Sequence, residues 1–173
     1  MREKDLPPQE MVALARRLSE AIAGRALLVL NGPPEVAAEA GAHGVHLPET
    51  APLVGPVAGL LVGRSVHSVE AALEAEQEGA DYLVAGPVYQ TASHPEAAPA
   101  GITLIRKIAV EVKLPVIAIG GITPERVRAV LRAGASGVAA VRAILESESP
   151  RQAAQRLARE LEAACLELGV LRR

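Results

Sequence analysis

The chain is nearly without aromatic residues. It has no Trp, no Phe and only two tyrosines, Tyr82 and Tyr89, among 173 residues. A core of stacked rings is excluded. Half of the residues are hydrophobic, so the interior has to be assembled from Ala, Val, Leu and Ile, side chains small enough to let helices lie close on strands. The single cysteine, Cys165, rules out an intramolecular disulfide. An excess of one charge is missing too: a formal net charge of -2 gives no electrostatic ground for binding nucleic acid. No apolar run reaches the roughly 20 residues of a membrane-spanning helix. The stretch 1–10 is charged and lacks the apolar segment of a signal peptide. These absences point to a cytoplasmic globular chain, and its length suits one domain, taken as 1–173.

What is present is an alternation of short apolar runs with helical patterns. Leu27–Leu30, Gly44–Leu47, Leu60–Gly63, Tyr82–Ala85, Val116–Ile119 and Val138–Val141 read as six strands. Between them, helices are expected over Pro34–Ala40, Ser68–Gly79, Ile102–Val112 and from Thr123 to Gly134, with a last one opening at Ser149-Pro150. Ser68, Thr123 and Ser149 read as N-caps, the latter two followed by proline at the first helical position. Cys165 falls on the apolar stripe of the last helix with Leu157, Leu161 and Leu168, which makes it a small core residue. Gly41-Ala42, Gly79-Ala80 and Gly134-Ala135 each join a helix to a strand, the glycine supplying a left-handed turn. Repeated helix-to-strand units with nearly uninterrupted apolar strands imply parallel strands joined by right-handed crossovers. The fold class is α/β, as a barrel or an open sheet. No Gly-x-Gly-x-x-Gly follows a first strand, which counts against a dinucleotide-binding domain.

Five segments in register resemble the thiamine phosphate synthase and TenI family: Arg2-Glu3-Lys4-Asp5-Leu6, Gly44-Val45-His46-Leu47, Gly79-Ala80-Asp81-Tyr82, Gly86-Pro87-Val88-Tyr89-Gln90-Thr91 and Pro115 through Ile122. The resemblance implies a (β/α)8 TIM barrel of the thiamine pathway. In that family the segment matching Arg2–Leu6 follows the second barrel strand, so the barrel here is expected to be incomplete at the N-terminus, with about six parallel strands. Either the start is misassigned or the chain is a six-stranded remnant. A remnant would carry two raw strand edges, so a homodimer or higher homo-oligomer is expected.

In such a barrel the site lies at the C-terminal ends of the strands. Gly120, Gly121 and Ile122, ahead of a helix N-terminus, suit a phosphate, as does the end of the last strand at Val141 and Arg142. The competing reading is a tight turn that merely needs glycine. The resemblance implies that the phosphate is that of a thiazole substrate. It adds Asn31, Ser65, Thr91 and Ser93 to the substrate side and matches Arg2 and Lys4 to a pyrophosphate-binding pair. The family's synthase couples a pyrimidine diphosphate to thiazole phosphate with Mg²⁺, and its metal carboxylates match Gly32 and Ala51 here. Without them no metal site is expected, and Mg²⁺ enters only under the synthase reading.

TenI-like thiazole tautomerases move a proton without metal, and the histidine of their better-known pattern matches Pro87. The candidates for general acid/base are then His94, in Ser93-His94-Pro95, and His67, in Ser65-Val66-His67-Ser68. Residues 87–100 are expected to cover the substrate. His43, in a helix-to-strand turn, is expected to be solvated. The resemblance thus implies first a TenI-like protein that binds thiazole phosphate and catalyses metal-independent tautomerisation. The alternatives are a Mg²⁺-dependent thiamine phosphate synthase and a non-catalytic ligand-binding or regulatory remnant.

Overall fold

The computed structural model describes residues 1–3, 5–52, 57, 59–91 and 98–170. Lys4, Ser93 and His94 lie outside the described residues. Helix α1 (Pro8–Ile22) leads into β1 (Val29–Leu30), α2 (Pro34–Glu39), β2 (Gly44–Leu47) and β3 (Leu61–Val66). Then follow α3 (Val69–Gln77), β4 (Tyr82–Ala85), α4 (Gly101–Glu111), β5 (Val116–Ile119), α5 (Pro124–Arg132) and β6 (Gly137–Ala139). The short α6 (Arg142–Leu145) and the long α7 (Pro150–Leu168) complete the described chain. The six strands pair in sequence order and every pair is parallel. Among the described residues β1 and β6 are not paired with each other, so the sheet is a curled half-barrel with two edges.

The strand interiors explain which side holds the core. Side chains alternate across a strand, and one parity is buried: Leu30, Val45, Val62, Val66, Leu83, Ala85, Val116 and Ala118 are all below 8 % exposed. These pack outward under the helices in two clusters, one around α1 and α2, the other around α3, α4, α5 and α7. The other parity, including Val29, His46, Ser65, Tyr82, Val84, Ile117 and Ile119, is only half-buried and lines the concave face. Cys165 is buried in the second cluster at 3 % exposure. The three glycine joints hold positive φ, +67° at Gly41, +87° at Gly79 and +106° at Gly134. Ala42, Ala80 and Ala135 behind them are buried.

Several sequence expectations shift by a few residues, each for a visible reason. β1 is shorter than Leu27–Leu30, because Leu27 is exposed and the Leu28 N–H donates to His43 Nδ1 at 3.0 Å instead of to a strand neighbour. His43 is exposed as expected, yet it serves as an acceptor. β3 runs on to Val66 because Arg64 finds partners on the helix side. β6 stops at Ala139, and Val141 begins the turn into α6, an element the apolar pattern did not suggest. α1 likewise has no counterpart in the apolar pattern; it buries Met11, Val12 and Ala15. Ser68 caps α3, its hydroxyl accepting from Ala71 N–H at 3.0 Å. Thr123 and Ser149 make no side-chain cap bond. The Glu125 carboxyl is held below its ordinary pKa, chiefly by hydrogen bonding with Thr123.

Candidate active site

Parallel strands place all their C-terminal ends on one rim, and loops leaving that rim can bring distant residues together. At the rim of β5, Gly120 and Gly121 hold φ of +98° and +61°. The segment after β4 is laid directly on them. Val88 N–H donates to the Ile119 carbonyl at 2.8 Å and Tyr89 N–H to the Gly120 carbonyl at 3.0 Å. A Cβ on Gly120 would stand 2.6 Å from Pro87 Cα, and one on Gly121 would stand 2.7 Å from the Gln90 carbonyl oxygen. The glycine pair therefore has a packing reason of its own. Ile122 turns into the core at 3 % exposure, so it offers only its backbone to the rim. Arg126 of α5 spans the same joint: its guanidinium lies 4.4 Å from the Tyr89 ring centroid and donates to the Gly121 carbonyl at 2.6 Å.

The loop after β4 is pinned at both ends. Ala100 N–H donates to the Pro87 carbonyl at 2.9 Å and Gly101 N–H to the Val88 carbonyl at 3.0 Å. Thr91 is half-buried where the described part of the loop ends. At β6, Val141 is 53 % exposed, and Arg142 Nε donates to Glu146 one helical turn on at 2.6 Å.

The concave face carries a polar group in which Ser65, expected on the substrate side, meets His46. Ser65 Oγ lies 2.8 Å from His46 Nε2, and the His46 ring stands 5.9 Å from that of Tyr82. Gly63, paired with both His46 and Tyr82, makes the space, since a Cβ there would collide with the Tyr82 ring. Burial first, then the positive N-terminal amine and Arg64, push the His46 pKa down to about 4, so its ring is neutral near neutral pH. Burial, with a contribution from Asp81, raises that of Tyr82.

His67 follows β3, and Glu49 follows β2. One carboxylate oxygen of Glu49, Oε2, accepts from His67 N–H at 2.6 Å and lies 2.9 Å from His67 Nδ1. At β1, Asn31 N–H donates to the Met1 carbonyl at 2.8 Å, and Met1 N donates to the Val29 carbonyl at 2.7 Å, a one-residue parallel bridge on the strand's outer side. Arg2 beside it is exposed. Asn31, Gly32, Pro33, Pro34, Leu47 and Pro48 help to line a cavity of about 530 Å³ between the ends of β1 and β2. The structure thus brings Ser65 to His46, His67 to Glu49 and Gly120–Gly121 to the loop after β4. Among the described residues Asn31 and Arg142 stand apart, with no hydrogen bond to these groups.

The family model for thiamine monophosphate synthase matches residues 1–144. The chain belongs to the thiamine monophosphate synthase family. A thiamine-phosphate synthase of Pyrococcus furiosus is 38 % identical over 169 residues, covering 94 % of this chain and 81 % of the relative. A protein of Aquifex aeolicus called putative thiamine-phosphate synthase 2 is 39 % identical over 153 residues, 84 % of this chain and 81 % of that one. Among solved structures, thiamine phosphate pyrophosphorylase from Pyrococcus furiosus superposes with a TM-score of 0.85 at 37 % identity, covering 95 % of this chain and 82 % of that chain.

The synthase family implies Mg²⁺, and the donor set at the rim does not fit it. Mg²⁺ takes hard oxygen ligands in near-octahedral array. Positions 32 and 51 carry glycine and alanine. A side chain at Gly32 would meet Met11 Sδ at 3.3 Å. The Ala51 carbonyl already accepts from Arg64 Nη1 at 3.1 Å, and Glu49 Oε2 is held by His67. Among the described residues no three His, Cys, Asp or Glu side chains group so as to hold a metal ion.

Proposed function

We propose that the protein is a thiamine-phosphate synthase-type enzyme, binding a thiazole phosphate at the C-terminal rim and joining a pyrimidine to its ring nitrogen as the C–O bond to the pyrimidine's diphosphate breaks and diphosphate leaves. The observation that carries this reading is the likeness to synthase-named relatives along nearly the whole chain, rim included. In it, the backbone at Gly120, Gly121 and Ile122, ahead of α5, faces the phosphate. Val141 and Arg142 form its other wall, Arg142 exchanging Glu146 for the anion. Arg2 and Lys4 meet the diphosphate. Asn31, Ser65, Thr91 and Ser93 orient the rings. No step runs through Mg²⁺, because the residues present do not fit it. The setting proposed is the cytoplasm; among the described residues no helix is long and apolar enough to cross a membrane. We also propose that the chain self-associates.

A second reading, a metal-independent proton shift on thiazole carboxylate phosphate, is favoured by one observation. The Glu49–His67 pair is an acid/base pair at the rim where Gly32 and Ala51 replace carboxylates. His94 is the other candidate base under this reading. The test is a pair of assays on the whole chain. Thiamine phosphate is measured from pyrimidine diphosphate and thiazole phosphate, with and without Mg²⁺, and tautomer exchange is followed by NMR. Product in the first assay supports the synthase reading. Exchange without product, lost in His67→Ala or His94→Ala, supports the second. If calorimetry shows binding of thiazole phosphate but neither assay turns over, the protein is a ligand-binding remnant of the enzyme.

A further inference from the structure

We propose that Arg64 and Glu78, on the helix-covered side of the sheet, form a strut that acts through Glu49 to set which nitrogen of His67 carries the proton. The inference rests on the reading that the rim is the site. Arg64 is the one buried charged residue among those described, at 7 % exposure. It sits between Val62 and Val66 on the buried parity, where a guanidinium without partners would be costly. Its partners come from two separate elements. Nη2 meets Glu78 Oε2 at 3.0 Å, at the end of α3. Nη1 donates to the Ala51 carbonyl at 3.1 Å and Nη2 to the Glu49 carbonyl at 3.4 Å. The guanidinium thereby fastens the backbone that leaves β2 to β3 and α3.

Glu49 is thus held by its main chain while its carboxylate reaches the rim. Oε2 accepts the His67 backbone N–H and lies 2.9 Å from the ring Nδ1. An acceptor at Nδ1 fixes the proton there in the neutral ring and leaves the lone pair on Nε2, the nitrogen free for a substrate proton. Both side chains are substantially exposed, 58 % and 36 %. The charge attraction between them is worth little by itself, so the geometry has to be imposed by the anchored backbone. Glu49 and Arg64 are positioning residues in this scheme, and the acid/base group is His67.

The alternative is that Glu49 only ties the chain down ahead of α3. Long-range ¹H–¹⁵N correlation of the His67 ring at alkaline pH separates the two, using the full chain, Glu49→Ala and Glu78→Gln. Glu78→Gln keeps the shape beside Arg64, so it stays informative if Arg64 variants do not fold. The expected result is the Nδ1–H tautomer in the parent, a mixture in Glu49→Ala, and a partial shift to that mixture in Glu78→Gln. An Nε2–H ring in the parent, or a ratio unmoved by Glu78→Gln, overturns the strut. In whichever turnover assay is positive, Glu49→Ala should lower kcat roughly tenfold or more, with KM within about twofold. If the tautomer responds as stated but His67→Ala leaves turnover intact, the strut stands and the acid/base role of His67 is what fails.

Discussion

His46 is neutral because the fold half-buries it against Tyr82 and Ser65. Its pKa of about 4 lies below the ordinary value of 6.5. Between those two values the unfolded chain binds more protons than the folded one. The stability linked to His46 is therefore complete above about pH 6.5 and is lost as pH falls toward 4. The loss is on the order of 1–3 kcal/mol. Urea denaturation from pH 7 to 4.5 should show that slope, and His46→Gln should flatten it; an unchanged slope would remove His46 as its cause. Gly120→Ala is the second test at this scale. It forces a side chain to φ +98° and drives its Cβ to 2.6 Å from Pro87 Cα. The expected cost is about 2–4 kcal/mol, read as a lower denaturation midpoint. A neutral outcome would mean that the joint between β5 and the loop after β4 is looser than described.

At the scale of elements, the alternating pattern was legible where an apolar run is bounded by turn residues. β2, β4 and β5 fall where the sequence reading put them, since both faces of each are uniformly apolar or lightly polar. The reading failed where side-chain chemistry overrides the pattern. Arg64 looks like the end of a strand until Glu78 and two carbonyls are seen to satisfy it. Thr123 looks like a cap, yet its side chain makes no cap bond to α5. α1 carries its buried residues among charges, so that only Met11, Val12 and Ala15 mark its inner face. For the site, the glycine pair and His67 were visible as residue types at strand ends. The pairing of Glu49 with His67 was not, because the two are 18 positions apart and only the parallel pairing of β2 and β3 brings them together.

At the scale of the molecule, the half-barrel leaves a concave surface of Val29, Val84, Ile117 and Ile119 half-buried, and Leu61 at its lower end is 38 % exposed. Among the described residues, strands β1 and β6 each keep one side unpaired, apart from the bridge to Met1. An apolar face between two open strand edges favours pairing with another chain. Sedimentation equilibrium is expected to give at least twice the chain mass of 17.9 kDa. A monomer across micromolar concentrations would sink the proposed self-association. A second consequence lies in the loop after β4. Its entry at Pro87 and exit at Ala100 are hydrogen-bonded neighbours. A change of length after the anchored residues 87–90 and before Ala100 therefore need not move the sheet beneath. One scaffold could in this way be re-specified for a new ligand by changing a single contiguous stretch of coding sequence.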